Sequence, residues 1–476
     1  MNHTPQELSR NQSLLKLSIC VTLAIILWFL PIPQNMPVQA WHIFAVFISV
    51  IISFILRPFP MGAMVLFGLV AMMVTKTLTP KEALSGYGDS TVWLVVAAFL
   101  IAGGVVQTGF GRRLALMLVK LLGKSTVGIG YAICGAEFLL GPVVPSNTAR
   151  GGGILAPITL SLANALDSHP GKNPERAGEY LVLVGAHANL IAAAMFLTGM
   201  AANPLVARAA SDIFDIDFGW GTWALGAIVP GLIGLLLLPL FLNLIAKPTL
   251  KDTLPAQEKA RKELELMGNW KPGEKMMGIV FIVLIVLWST KPFHGMGTTL
   301  VAWIGVCLLI LTRTLKWGDI IEISKAWDTL IWLGGLLTMA NSLKNYGLID
   351  WFSSYMQDLV GNFNGITVIL ILALIYFYSM YGFSMLTAHI SALVAAFFGV
   401  ALGVGAPVML SIAILAYFSN LCACTTNYST GPVIIYFGLG YVPAHTWFSK
   451  GFLVSLFHLV IWLGPGMIWW KMLGWW

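Results

Sequence analysis

Ser146, Asn147 and Thr148 stand together in an apolar stretch, followed by Arg150 and three glycines, Gly151-Gly152-Gly153. Short hydroxyl and amide side chains beside a free helix N-terminus suit an anion, because the exposed N–H groups and the positive dipole end favour negative charge there. The glycines allow backbone to approach backbone or ligand closely. A capped half-helix with a glycine-rich packing face would account for these residues, but not for Arg150. An arginine within a membrane segment costs from ~3 to more than 10 kcal/mol unless paired or hydrated. The nearest acid, Glu137, is more than two turns back on the preceding arm, and it is not expected to neutralise Arg150. His389 lies at a corresponding place later in the chain, again in apolar surroundings. Two cationic or potentially cationic groups at a dipole-positive site require an anionic ligand, and a dianion matches them in charge.

Two further breaks follow. Thr198-Gly199-Met200-Ala201-Ala202-Asn203-Pro204 interrupts the apolar stretch 180–209, and Thr425-Thr426-Asn427-Tyr428-Ser429-Thr430-Gly431-Pro432 interrupts 406–437. Proline and glycine free backbone carbonyls at membrane depth. Such carbonyls can coordinate a cation, and the hydroxyls can bind a carboxylate. A simple proline kink is the alternative at each break.

The elements that must position these residues are membrane helices. Charged residues are 10% of the chain and hydrophobic residues 58%, against about 25% charged in a soluble domain. Spans are expected at 15–31, 39–56, 61–77, 91–107, 180–209, 222–246, 276–290, 297–313, 327–343, 406–437 and 451–470. Amphipathic helices are expected at 111–123 and near 348–360. With the N-terminus inside, 20 of the 27 Lys and Arg residues fall on the inner side, the positive-inside pattern. The net charge of +7 therefore sets topology and implies no nucleic-acid partner. The five cysteines read as apolar packing residues, and no metal site, cofactor motif or enzyme signature is present. The first apolar segment has no small-residue cleavage site after it and reads as a retained span.

Residues 126–166 are too long for one span and too short for two with a loop. Broken at Gly141-Pro142-Val143-Val144-Pro145, they read as a re-entrant hairpin, and 364–404 reads the same way. Backbone of this kind survives at membrane depth when buried in protein or lining a wet cavity. An internal repeat agrees. Asp89-Ser90-Thr91-Val92-Trp93-Leu94 resembles Asp328-Thr329-Leu330-Ile331-Trp332-Leu333; Gly109 and Gly123 recur as Gly347 and Gly361; Thr148-Ala149-Arg150 matches Thr387-Ala388-His389. The copies start on opposite sides of the membrane, the arrangement of secondary transporters with a midplane site. The expected fold is an all-α polytopic membrane protein of about 11 transmembrane helices in an inverted repeat with two re-entrant hairpins. Its parts are 1–38 (tail and first span), 39–246 (first repeat), 247–275 (charged inner loop) and 276–476 (second repeat).

From about Trp41 to the C-terminus the sequence resembles the divalent anion/sodium symporter family of dicarboxylate and citrate carriers. The resemblance is carried first by Pro145-Ser146-Asn147-Thr148-Ala149-Arg150-Gly151, then by Thr430-Gly431-Pro432-Val433-Ile434-Ile435-Tyr436-Phe437-Gly438. It implies a homodimer in a bacterial inner membrane, with scaffold and transport domains and an elevator motion. It also implies substrate binding at Ser146, Asn147, Thr148, Thr387, Thr198, Gly199, Thr430, Gly431 and Pro432. The family's second Ser-Asn-Thr motif reads Met385-Leu386-Thr387 here, so polar ligands of a second sodium are missing. In the exchanger branch, fixed positive side chains stand in for sodium, and Arg150 and His389 occupy those positions. The resemblance thus implies exchange of small dicarboxylate anions such as 2-oxoglutarate, malate and succinate, with no cofactor. Sodium-coupled symport and citrate or tartrate exchange are the rival expectations.

Overall fold

The computed structural model describes residues 10–360 and 364–476. Residues 1–9 of the N-terminal tail and Gly361, the repeat mate of Gly123, lie outside the described residues. The helices are α1 (Arg10–Phe29), α2 (Val38–Leu56), α3 (Met61–Val74), α4 (Ser90–Thr108), α5 (Phe110–Leu122), α6 (Thr126–Leu140), α7 (Ala156–Ala165), α8 (Gly178–Met195), α9 (Asn203–Phe214), α10 (Trp220–Ile245) and α11 (Leu254–Met267). They continue as α12 (Pro272–Ser289), α13 (Thr298–Leu311), α14 (Ser324–Asn345), α15 (Leu348–Val360), α16 (Gly365–Ser379), α17 (Leu386–Gly403), α18 (Val408–Leu421), α19 (Gly431–Gly438) and α20 (Ala444–Ile461).

Ten of the described helical segments are long and apolar enough to cross a bilayer. Two of these, α16 and α17, are the arms of one hairpin. The other eight, with the shorter apolar helices α3 and α13, are the candidate crossings among the described residues, and α14 packs beside them against α3 and α4. The hairpins form where the sequence breaks. The first is α6, a non-helical turn, a π-helical stretch Thr148–Leu155 and α7; the second is α16 and α17 around a tip at residues 380–385. Each entry arm starts on a side-chain cap: Ser125 Oγ accepts from Gly128 N at 3.0 Å, and Asn364 Oδ1 accepts from Ile366 N at 2.9 Å. Such caps satisfy donors that a helix start leaves open.

The repeat also shows in the backbone. Gly109 (φ 78°) and Gly347 (φ 84°) are both left-handed turns, which glycine takes without steric cost. Each redirects the chain from a long helix into an amphipathic one, α5 and α15. At the α5 end, Arg113 is buried against Glu274 at 2.9 Å and lies 5.1 Å over the Trp270 ring, which holds α5 to the start of α12. The helix α8 is almost wholly buried, so the segment carrying the first break runs through the protein's interior, away from lipid.

Candidate substrate site

The two hairpin tips converge on the second break. Asn147 Nδ2 donates to Thr430 Oγ1 at 3.1 Å. A Cβ on Gly431 would lie 2.2 Å from Thr148 Oγ1, so only glycine permits this approach. From the other side, Leu386 N donates to Ser429 O at 2.9 Å. Ser146, Asn147, Thr148, Thr430, Gly431 and Pro432 are therefore one cluster, as expected. Thr387 stands half-buried on the first turn of α17, beside Leu386.

A cleft of about 590 Å³ reaches this cluster. Ser146, Thr148 and Gly153 of the first hairpin line one wall, and Phe99 and Gln107 of α4 line another. Asp319 sits at its rim; the backbone N–H of Lys316, then the Gln107 side chain, hold its carboxyl below the ordinary carboxylate range. The cleft opens near the C-terminal end of α4. At the N-terminal end, roughly 27 Å away at 1.5 Å per residue, charged contacts join α4, α9 and α14. Arg208 meets Asp89 at 3.3 Å and Asp212 at 3.1 Å, and Lys344 meets Asp212 at 3.4 Å. The cleft thus opens at one end of α4 while ion pairs join the helices at the other.

Arg150 corrects the sequence reading. It is fully buried and its Nε lies 2.5 Å from Glu137 Oε2, so an acid does neutralise it. Residues 141–147 turn the chain back beside α6, and two residues 13 apart in sequence meet across the hairpin. Glu137 also accepts from Asn189 Nδ2, at 2.9 and 3.1 Å. Arg150 Nη1 donates to Val144 O at 2.7 Å and to Gly199 O at 3.1 Å. The guanidinium does not line the cleft; it binds carbonyls freed by the hairpin turn and by the first break.

His389 behaves alike in the second hairpin. It is fully buried among Tyr376, Ser379 and Phe383 of its own hairpin. Its Nε2 lies 3.1 Å from Tyr376 O and 2.8 Å from Ser379 Oγ. A carbonyl can only accept, so this nitrogen carries a proton and donates to it. The sequence placed two free cationic groups toward a dianion, but neither side chain reaches the cleft wall.

The first break is also tied up by the chain itself. Thr198 Oγ1 donates to Pro142 O and accepts from Trp220 Nε1 at 2.9 Å, so its hydroxyl does not line the cleft as expected. Asn203 Nδ2 donates to Ala193 O at 2.8 Å and Phe196 O at 2.9 Å. At the second break, Thr425 Oγ1 donates to Cys422 O, Ser429 Oγ to Ala423 O, and Trp447 Nε1 to Thr426 O. Asn420 Nδ2 links the two breaks through Asn203 Oδ1 at 2.8 Å. The sequence reading missed Glu137, Asn189, Asn203 and Asn420 as partners. A signal was present: Asn189-Leu190 and Asn420-Leu421 each precede a break, and a buried amide needs partners.

The comparisons agree with this architecture. Residues 11–476 match the sodium:sulfate symporter transmembrane region family. YflS of Bacillus subtilis (strain 168), named as a candidate malate transporter, is 42% identical over 97% of this chain and 97% of its own length. Dicarboxylate transporter 1, chloroplastic, of Arabidopsis thaliana is 40% identical over 96% of this chain and 82% of its own length. Among solved structures, the Alcanivorax borkumensis YdaH transporter superposes with a TM-score of 0.59 at 14% identity, covering 98% of this chain and 99% of that one, which is a likeness of fold. With its hairpins, broken helices and near full-length match, this chain belongs to the sodium:sulfate symporter transmembrane region family.

Proposed function

We propose that this protein is a secondary transporter that exchanges small dicarboxylates, such as 2-oxoglutarate, malate and succinate, without sodium. The substrate class is supported by the names of the full-length relatives and by the polar tip cluster at the end of the cleft. A substrate carboxylate would be held by Ser146, Asn147, Thr148, Thr387 and Thr430, with Gly431 and Pro432 shaping the backbone beneath it. Thr198 and Gly199 act from behind, by fixing the first tip.

The observation that carries sodium independence is the occupancy of the freed carbonyls. A sodium ion in such a site would draw on them. Here Arg150 takes Val144 O and Gly199 O, Asn203 takes Ala193 O and Phe196 O, and His389 takes Tyr376 O. Arg150 and His389 thus stand in for sodium as fixed donors. Because Glu137 balances Arg150, the slow step of an empty carrier does not arise from an unmatched arginine charge. It arises from the polar side chains that line the cleft at the first tip, Ser146 and Thr148, which lose water without gaining a ligand, at ~1–3 kcal/mol for each unsatisfied group. A bound dicarboxylate supplies the missing acceptors, so the loaded carrier moves faster.

The motion fits a division in which the hairpins, α8–α10 and α18–α20 travel against α1–α4 and α12–α14 as an elevator. The four parts of the chain are 1–38, 39–246, 247–275 and 276–476, and the assembly is a homodimer in a bacterial inner membrane. The N-terminus and the cleft then face the cytoplasm. The test is efflux of preloaded labelled malate from proteoliposomes, into buffer with or without 2-oxoglutarate. A cost of ~1.4 kcal/mol or more on the empty return gives at least a tenfold faster release into 2-oxoglutarate. Equal rates would refute exchange.

A further inference from the structure

The three glycines after Arg150 are not equivalent. A Cβ on Gly151 would lie 2.7 Å from Asn189 Nδ2, and one on Gly152 would lie 2.2 Å from Ile435 Cδ1. A side chain at either position would have to displace Asn189 of α8 or Ile435 of α19. Gly153 is different. It is exposed, nothing lies within 4 Å of where its Cβ would be, and it lines the cleft with Ser146 and Thr148. Its φ is not positive, so no turn demands glycine. It sits inside a helical stretch, where glycine is the poorest choice after proline. The structure shows neither a packing need nor a conformational need for glycine at this position. Its visible effect is to keep that wall of the cleft flat.

We propose that Gly153 sets how bulky an acid the cleft admits, keeping it wide enough for C5 and C6 acids as well as C4 acids. This rests on the dicarboxylate reading above. With one carboxylate held at Ser146–Thr148, a side chain at 153, about one helical turn beyond Ala149, projects beside the remainder of the acid. Small residues of α4 face the same space, since Ala102 and Gly103 also line the cleft. At Gly103 a Cβ would lie 2.4 Å from Ile323 Cδ1, so a side chain there requires Ile323 to move. Gly153 is the position where the width can change without moving a neighbour. One methylene in a pocket is worth ~10–200-fold in discrimination.

The experiment measures proteoliposome exchange of labelled malate, 2-oxoglutarate and citrate by the wild type and by Gly153→Ala and Gly153→Val. Thermal unfolding checks that each variant is folded. Alanine favours a helix over glycine, so Gly153→Ala keeps the test available if valine disturbs folding. The expected result is a kcat/KM for 2-oxoglutarate and citrate that falls relative to malate, by ~10-fold or more for valine and by less for alanine. An equal fall for all three acids, or no change for any, overturns the inference. So does a wild-type protein that carries malate but refuses both larger acids. A wild type that exchanges none of the three overturns the dicarboxylate reading itself.

Discussion

Replacing Glu137 by Gln should be among the most damaging single changes to the protein. Glu137 and Arg150 are both fully buried and 2.5 Å apart, and no water can solvate the guanidinium once its partner is neutral. Breaking a buried ion pair from one side costs ~3–5 kcal/mol. Arg150 would keep its bonds to Val144 O and Gly199 O, which places the cost near the lower end, about 3 kcal/mol. At ~1.4 kcal/mol per factor of ten, that is more than a hundredfold in the folded-to-unfolded ratio. The assay is unfolding of purified protein by denaturant titration, for Glu137→Gln, Arg150→Gln and the double variant. Two amides at these positions can hydrogen-bond without burying a charge, so the double variant should be less destabilised than the two single costs added. A coupling of at least ~2 kcal/mol is expected, within the range for residues in direct contact. A Glu137→Gln protein as stable as the wild type, or strictly additive costs, would refute the neutralised-pair account.

Three further outcomes follow from the same geometry. His389→Gln, which can still donate to Tyr376 O, should keep most stability and transport. His389→Leu leaves Tyr376 O with the Ser379 hydroxyl as its side-chain donor but removes the imidazole's two polar contacts, and should cost ~1 kcal/mol in the same unfolding assay. Thr198→Val removes the donor to Pro142 O and the acceptor for Trp220 Nε1. It should cost ~1–3 kcal/mol while leaving the KM for malate within about twofold, because the hydroxyl does not line the cleft; a large rise in KM would restore it as a ligand. Asp212→Asn breaks contacts to Arg208 and Lys344, but both partners are about a third exposed or more. Denaturant unfolding should show a change within ~1 kcal/mol, in contrast to Glu137→Gln.

Much of this architecture is legible before any coordinates. The length of 126–166 and its Gly-Pro interruption give the first hairpin, because a polypeptide at membrane depth must satisfy its own backbone. Gly109 and Gly347 keep the repeat register, and both prove to be left-handed turns. The cluster of Ser146, Asn147, Thr148, Thr430, Gly431 and Pro432 also follows, because polar residues at two breaks have few places to meet in an apolar bundle. Helical spacing hides the partner of Arg150. Along an unbroken helix, residues 13 apart are about 20 Å apart, yet a hairpin folds that distance to a hydrogen bond. The direction of the Thr198 hydroxyl is hidden as well, since it depends on Pro142 and Trp220, 56 and 22 residues away.

In the exchange mechanism proposed above, the chain's own donors fill the places where sodium would bind. The most direct measurement is uptake of labelled 2-oxoglutarate into proteoliposomes loaded with malate or left empty, each with and without an inward sodium gradient. Uptake that requires internal malate and is the same with or without sodium is the predicted result. Sodium-driven uptake into empty proteoliposomes would contradict it, and would mean that Arg150 and His389 do not substitute for the ion.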